Sequence, residues 1–177
     1  MVNVMEKYIP DMYQKSIYTV DYQKLIDRGV TCILFDLDNT LVPFHIKHAN
    51  EKISELFNQL REKGLKIIIF SNSPKKRINI FKEELAVDCL WNAKKPSKKG
   101  FEAIMNKYKY NITEVAIVGD QILTDIVGGN KVGITTVLIN PVSTKDPIWT
   151  RPSRFFEKKI MKKLRNHDLF SKGRYYD

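Results

Sequence analysis

Short apolar runs alternate with amphipathic segments along this sequence, and this alternation restricts the possible folds more than any other feature. The apolar runs are rich in β-branched residues, which is typical of strands buried on both faces; they cover residues 30–35, 65–70, 87–91, 115–118 and 134–139. Segments with apolar residues at helical spacing lie before and between them, at 22–28, 49–63, 75–85, 97–108 and 123–131. This order with short connections predicts a three-layer α/β fold, with a central parallel sheet and helices on both faces.

Length and composition indicate one soluble domain. The 177 residues are 43% hydrophobic and 28% charged, which is typical of globular proteins. No apolar stretch reaches the ~20 residues of a membrane-spanning helix, and the first residues lack a signal-peptide pattern. We therefore expect a cytoplasmic protein. Cys32 and Cys89 lack metal-ligand spacing, and we expect both to be reduced and buried.

The net charge of +10 indicates an anionic partner, which can be nucleic acid, an acidic membrane surface or phosphate groups. The last 27 residues hold nine Lys/Arg and three Asp/Glu, a net +6. We therefore separate a main domain, residues 1–150 with a short N-terminal extension, from a basic C-terminal segment, residues 151–177.

Phe156, Ile160 and Leu164 recur every four residues among lysines, which predicts a basic amphipathic helix around 154–165. Its apolar stripe can pack on the sheet or on a second copy of the chain. Alternatively, the helix can dock on anionic lipid at the inner membrane face, or contact nucleic acid.

Polar residues follow four of the predicted strands, where open α/β sheets bind their ligands. These groups are expected to converge on one crevice: Asp36-Leu-Asp38-Asn-Thr40, Ser71-Asn72-Ser73, Lys94-Lys95-Pro96, and Gly119-Asp120 with Asp125. Each motif alone can be a turn, an exposed loop or a helix cap. Their common position after successive strands favours a shared chemical site.

The residue types in this predicted crevice suit phosphoryl transfer. Clustered carboxylates repel one another unless a cation lies between them, and all-oxygen ligands suit Mg²⁺. A lysine, a hydroxyl and loop N–H groups can hold phosphate oxygens. One Asp can attack phosphorus to give an aspartyl-phosphate, and a second can protonate the leaving oxygen and later activate water.

These motifs resemble those of the haloacid dehalogenase (HAD) superfamily of Mg²⁺-dependent phosphohydrolases, which carry D-x-D-x-T, then Ser/Thr, then Lys, then GD…D. The segments FDLDNTLV, FSNSP, AKKP and GDQILTDIVGGN, with Ile9-Pro10-Asp11 near the start, are similar to the YqeG-type HAD IIIA phosphatases. That group is in turn similar to the mitochondrial phosphatidylglycerophosphate phosphatases. The resemblance implies a Rossmann-like HAD fold and a phosphorylated substrate, with phospholipid as one candidate.

The resemblance also implies roles for the acidic motifs. Asp36 would be the nucleophile and a metal ligand. Asp38 would be the general acid/base and would offer its backbone carbonyl to the metal, while Thr40 would support the loop. Asp120 would be the second metal-ligating carboxylate, and Asp125 would assist through water.

The remaining motifs would bind the phosphoryl group. Ser71 and the backbone of Asn72 would donate hydrogen bonds to it. Lys95 would neutralise charge on the nucleophile and the phosphate, because the family places this lysine directly before Pro96. Lys94 is the competing candidate.

The spacing of the motifs predicts a capless enzyme. Thirty residues separate Thr40 from Ser71 and twenty separate Ser73 from Lys94, which leaves no room for a cap domain over the site. An uncapped site suits a phosphate on a large substrate, namely a protein, a nucleic acid or a lipid at a membrane surface. Two alternatives are a phosphatase for nucleic-acid ends or phosphoproteins, and an RNA-binding or assembly protein with incidental phosphatase activity.

Overall fold

The computed structural model describes residues 5–145 and 151–177, except for the side chains of 151–153. Six strands form one sheet, and every pairing between them is parallel. The strands are β1 (Met12–Gln14), β2 (Cys32–Phe35), β3 (Lys66–Phe70), β4 (Asp88–Leu90), β5 (Val115–Gly119) and β6 (Thr135–Ile139). Their order in the sheet is β1-β6-β5-β2-β3-β4, which places β2 and β5 at the centre.

Within the described ranges, six α-helices connect or follow these strands: α1 (Tyr22–Asp27), α2 (Glu51–Glu62), α3 (Lys75–Leu85), α4 (Lys98–Tyr108), α5 (Val127–Val132) and α6 (Arg151–Asn166). Asp21 caps α1 by accepting from the Lys24 N–H at 3.0 Å. Ser97 caps α4, since its hydroxyl oxygen accepts from the Lys99 N–H at 3.4 Å. The single helix predicted at 123–131 is instead a π-helical turn, Ile122–Ile126, which continues into α5.

Residues of the central strands alternate between two cores, because successive side chains of a strand point to opposite faces. Ile33 and Phe35 lie in the core that contains the buried faces of α2 and α3. Cys32 and Leu34 lie in the core that contains Phe101 of α4. The predicted three-layer arrangement is therefore confirmed.

The two cysteines differ in their surroundings, although both are free. Cys32 is buried in the sheet, as expected. The expectation of burial is wrong for Cys89, which is half-buried because the strand that carries it lies at the edge of the sheet.

The first strand, β1, was not among the predicted strands. It belongs to the N-terminal extension and pairs with β6 at the edge of the sheet. Its outer side is covered by the C-terminal tail, since Tyr13 and Tyr176 exchange two backbone hydrogen bonds, at 2.7 and 2.9 Å. The two ends of the chain thus meet at this edge.

The basic segment packs on the same edge through one part of its apolar stripe. Leu164 of α6 and Phe170 are buried in a third cluster with Tyr13, and Ile160 is partly buried there. Phe155 and Phe156 are instead 57% and 58% exposed. Packing of the apolar stripe on the sheet, one of the alternatives for this helix, is therefore seen for the C-terminal half of α6.

Two further expectations concern the domain boundary and membrane-spanning helices. The predicted boundary at residue 150 falls in residues 146–150, outside the described part of the chain. Among the helices that are described, we find none with both the length and the apolar character that crossing a bilayer requires.

Candidate active site

The crevice at the carboxyl ends of the strands brings the predicted motifs together. Asp36 directly follows β2, Ser71 follows β3 and Asp120 follows β5. Lys95 reaches the same place from the loop between β4 and α4. All four side chains are buried, and so are Thr40 and Asp125.

Lys95 lies at the centre of this crevice. Its Nζ is 2.7 Å from Asp36 Oδ1 and 2.6 Å from Asp125 Oδ1. Burial lowers the pKa of Lys95, but the two carboxylates outweigh this effect and raise it. The ammonium therefore stays charged. Lys94, the competing candidate, is exposed.

The side chain of Asn72 holds the backbone of Lys95 in position. The Lys95 N–H donates to Asn72 Oδ1 at 2.8 Å, and Asn72 Nδ2 donates to the Lys95 carbonyl at 3.1 Å. Beside it, the Ser71 hydroxyl oxygen accepts from the Ser73 N–H at 3.3 Å. The loop after β3 therefore fixes the lysine that pairs with Asp36.

Three buried carboxylates form a cluster that can hold a metal ion. One oxygen from each of Asp36, Asp120 and Asp125 lies within 4.8 Å of the others. Burial raises the pKa of Asp120 to about 7, against the opposing effect of Arg154, and Asp36 adds to the increase. Burial also raises the pKa of Asp125 to about 6, although Lys95 opposes it.

A divalent cation would relieve this clustering of negative charge, and oxygen ligands are those that hard cations prefer. The residues therefore fit a divalent metal. The predicted third ligand, Asp38, would act through its backbone carbonyl. The Asp38 carboxylate lies outside the cluster, and Asp125 supplies the third carboxylate instead.

The turn after β5 explains how Asp125 enters this cluster. The Gln121 N–H donates to Asp125 Oδ2 at 3.1 Å across the π-helical turn. A Cβ at Gly119 would lie 2.2 Å from the same oxygen, so only glycine fits there. Thr40 Oγ1 lies between two carboxylates, 3.5 Å from Asp36 and 3.3 Å from Asp120. Its hydroxyl can support either of them.

The carboxylate of Asp38 is oriented by Arg77, which sequence reasoning missed, and by Ser73, which it placed in the crevice without a role. Arg77 Nε and Nη2 lie 2.7 and 2.6 Å from Asp38 Oδ1, and the Ser73 hydroxyl donates to Oδ2. Arg77 Nη1 also donates to the Ile46 carbonyl at 2.8 Å. This contact holds the flap, residues 41–48, which follows the loop of Asp36 and Asp38. The sequence signal that could have found Arg77 was its position shortly after the end of β3.

A second missed residue, Arg154, comes from the basic segment. Its guanidinium pairs with the buried carboxylate of Asp120, and its Nη1 lies 3.3 Å from Glu157 Oε2. The helix α6 therefore touches the crevice as well as the sheet edge. No motif marked this arginine among the many basic residues around it.

The family model described as mitochondrial PGP phosphatase matches residues 1–143. The chain belongs to this family of phosphatases. The probable phosphatase YqeG of Bacillus subtilis is 35% identical over 158 residues, which are 89% of this chain and 92% of that protein. The phosphatidylglycerophosphate phosphatase 1 (chloroplastic/mitochondrial) of Arabidopsis thaliana is 26% identical over 171 residues. That match covers 88% of this chain but only 47% of the plant protein.

Solved structures share the HAD fold with this PGP phosphatase family member. The cobalt-bound deoxy-D-mannose-octulosonate 8-phosphate phosphatase of Haemophilus influenzae superposes with a TM-score of 0.55 at 13% identity. The superposition covers 84% of this chain and 95% of the other. A HAD subfamily III A hydrolase structure from Legionella pneumophila gives a TM-score of 0.52 at 15% identity, over 81% and 76% of the two chains. At these identities the likeness concerns the fold alone.

In this member of the PGP phosphatase family, the crevice therefore combines a carboxylate paired with a buried lysine and a set of oxygen ligands for a divalent cation. A second carboxylate, Asp38, is held beside them by an arginine and a serine. These are the groups that hydrolysis of a phosphate ester requires.

Proposed function

We propose that this phosphatase is a Mg²⁺-dependent phosphomonoesterase that acts on phosphatidylglycerophosphate through an aspartyl-phosphate intermediate. The observation that carries the mechanism is the Asp36 carboxylate, buried against the Lys95 ammonium and next to Asp120 and Asp125. The substrate is supported by family membership and by the plant relative that bears this activity in its name.

In the first step an oxygen of Asp36 attacks the phosphorus of the terminal phosphate. The Asp36 O–P bond forms and the P–O bond to the lipid glycerol breaks, and Asp38 gives its proton to the leaving oxygen. Ser71 and the Asn72 N–H donate to the phosphoryl oxygens. Lys95 offsets the negative charge of nucleophile and phosphate.

In the second step water attacks the aspartyl-phosphate while Asp38 takes its proton. The Asp36 O–P bond breaks and inorganic phosphate leaves. Asp36, the Asp38 carbonyl, Asp120 and Asp125 would hold the Mg²⁺ ion or its waters. When bound, that ion polarises a phosphoryl oxygen and stabilises the charge of the transition state.

The lipid substrate places the enzyme at the surface of an anionic membrane, in peripheral contact from the cytoplasmic side. The exposed pair Phe155 and Phe156 and the lysines of α6 support this contact, since aromatic and basic side chains suit the lipid interface.

Replacing the nucleophile tests the mechanism. We expect Asp36→Asn to lower kcat on an aryl phosphate and on phosphatidylglycerophosphate by at least about 10³-fold, because an amide cannot form the intermediate. The matched control is Asp27→Asn, an exposed carboxylate on α1, which should leave both rates unchanged. Near-normal activity of Asp36→Asn would refute the mechanism.

A substrate panel tests the specificity. Wild-type kcat/KM is measured on phosphatidylglycerophosphate in micelles, on oligonucleotides with 3′- or 5′-phosphates and on phosphopeptides. We expect the lipid to be preferred at least tenfold. A preference for the oligonucleotides or for the phosphopeptides would refute the lipid as the substrate and put that class in its place. Tight RNA binding with a steep salt dependence, unchanged in Asp36→Asn, would instead indicate a binding protein.

A further inference from the structure

A large groove opens beside the crevice, between α6, the segment after β6 and the flap. Its volume is about 1210 Å³. Pockets for small molecules usually measure about 300–1,000 Å³, so a small phosphorylated metabolite would fill only part of this space. The groove is more than the mouth of the crevice, because α6 forms one whole wall.

The lining of the groove is strongly cationic. Its basic side chains are Lys145, Arg154, Lys158, Lys162, Arg165 and Lys172. Among the described residues of the lining, the one acidic residue is Glu157, which is buried and pairs with Arg154 and, at 3.6 Å, with Lys172. In the part of the chain that the structure describes, the other four cations have no carboxylate within ion-pair distance. The groove thus presents uncompensated positive charge.

The groove borders the crevice, as two sets of contacts show. Arg154 lines the groove and pairs with Asp120. On the other side, Asn39 of the nucleophile loop is bound to the segment after β6. Its Nδ2 donates to the Lys145 carbonyl at 3.1 Å, and its own carbonyl accepts from the Val142 N–H at 2.9 Å. An anion in the groove would therefore lie close to the phosphate at Asp36.

The groove also has apolar walls. Phe44, Pro141, Phe155 and Met161 contribute to the lining, and Phe155 is more than half exposed. Aromatic and aliphatic walls among lysines suit a ligand with an anionic group attached to hydrocarbon, because Lys heads reach phosphate while apolar surface meets acyl chains.

We infer that this groove binds the second phosphate, the phosphodiester, of a lipid whose terminal phosphomonoester is hydrolysed at Asp36. The inference rests on the proposed function and adds to it a subsite for the part of the substrate that does not react. The diester lies against Lys158 and Lys162, one helical turn apart, and the chains leave past Phe44 and Phe155. Binding energy from this remote group selects a lipid with two phosphates over a simple monoester.

The test compares two variants that lose equal charge from the same helix. Lys158→Gln/Lys162→Gln removes two lysines of the groove. Lys159→Gln/Lys163→Gln removes two exposed lysines that do not line it. For each protein, kcat/KM is measured on phosphatidylglycerophosphate in micelles, on its deacylated headgroup with both phosphates, and on glycerol 3-phosphate with the monoester alone.

We expect the ratio of kcat/KM for the two-phosphate substrates over glycerol 3-phosphate to fall about thirtyfold in the groove variant, as for two lost cation–phosphate contacts. In the control the ratio for the deacylated headgroup over glycerol 3-phosphate should change less than twofold. A ratio that stays constant in the groove variant, or falls equally in both variants, would overturn the subsite.

Two further outcomes would also overturn it. A loss on the lipid without a loss on the deacylated headgroup would assign the lysines to membrane docking. An oligonucleotide 5′-phosphate that matches the lipid in kcat/KM, with the same loss in the groove variant, would assign the groove to nucleic acid. Failure of the wild type to hydrolyse the lipid would refute the proposed substrate itself, whereas the subsite alone fails when the wild type hydrolyses the lipid but the ratio is constant.

Discussion

The crevice and the groove lie side by side, but their charged side chains differ in whether they have partners of opposite charge. In the crevice the buried charged side chains lie against opposite charges, as Lys95 does against Asp36 and Asp125. In the groove Lys158 and Lys162 are exposed and have no carboxylate partner among the described residues. The crevice therefore adds nothing to the overall +10, because its aspartates outnumber its cations, whereas the groove contributes positive charge that a ligand can meet.

This difference determines how strongly a substitution or added salt in each region should lower activity. A buried charge that loses its partner is costly, because water cannot replace the lost interaction. An exposed lysine near an anionic surface contributes only about 1 kcal/mol and is screened by salt. Disturbing the crevice should therefore affect all substrates, whereas disturbing the groove should affect only large anionic ones.

Removal of the metal should have the largest effect. We expect EDTA to abolish hydrolysis of every substrate and Mg²⁺ to restore it, since Asp36, Asp120 and Asp125 face one another in a buried site. Mg²⁺ should also raise the Tm of the protein. At a concentration 100 times its Kd, stabilisation of about 2.7 kcal/mol corresponds to about 5–10 °C for a chain of this size.

Two variants check that the stabilisation comes from the crevice. Asp120→Asn should lose the Mg²⁺-dependent rise in Tm, and Asp27→Asn should keep it. Thermal melts followed by circular dichroism measure both. Full activity in EDTA, or an equal rise in Tm for both variants, would remove the metal from the crevice.

The substitution Lys95→Met should have the second-largest effect on activity. We expect kcat to fall by about 10³-fold, because the charge that offsets the nucleophile and the phosphate is lost. The metal-free protein should also lose about 3–5 kcal/mol of unfolding free energy, since two buried carboxylates are left without their cation.

The adjacent lysine provides the control for this prediction. Lys94→Met removes the same charge from an exposed side chain one residue away, and both kcat and stability should change little. Urea titrations and kinetics on an aryl phosphate measure these quantities. A larger loss in Lys94→Met than in Lys95→Met would show that the wrong lysine has been placed at the site.

Arg77→Gln should have an intermediate effect. Arg77 acts through Asp38, so we expect kcat to fall about tenfold with little change in KM, and Arg77→Lys to recover part of it. Asp38→Asn should lower kcat by about 10²–10⁴-fold. A double-mutant cycle distinguishes positioning from a general loss of structure. The effect of Arg77→Gln should vanish in the Asp38→Asn background, and full additivity would contradict the assigned role.

The sequence predicted the convergence of the motifs because it depends on a general property of parallel sheets. Once Asp36, Ser71 and Asp120 are recognised as residues that follow strands, their approach at one edge is a consequence of topology. The same reasoning placed Lys95 in the crevice, where the family resemblance preferred it to Lys94. Most strand and helix positions followed from hydrophobic periodicity in the same way.

The missed features depend on contacts that periodicity does not encode. The strand β1 has three residues, too few for a recognisable alternation, and exists because β6 offers it a partner. Arg77 and Arg154 find Asp38 and Asp120 only after the chain has folded. The π-helical turn at Ile122–Ile126 departs from the usual helical period, which is why one continuous helix was predicted there.

Ionic strength should have the smallest effect and separate the two regions without any mutation. The Debye length is about 10 Å at 0.1 M salt and about 3 Å at 1 M, so added NaCl screens exposed charges and leaves buried pairs nearly intact. From about 0.05 M to about 0.5 M NaCl, we expect kcat/KM on the deacylated two-phosphate headgroup to fall about threefold, with less than a twofold change on glycerol 3-phosphate. The Lys158→Gln/Lys162→Gln variant should show a flatter dependence than Lys159→Gln/Lys163→Gln, because only the first pair faces the anion. An equal salt dependence of both substrates would mean that the groove and the crevice share one electrostatic role, and the contrast between them would no longer hold.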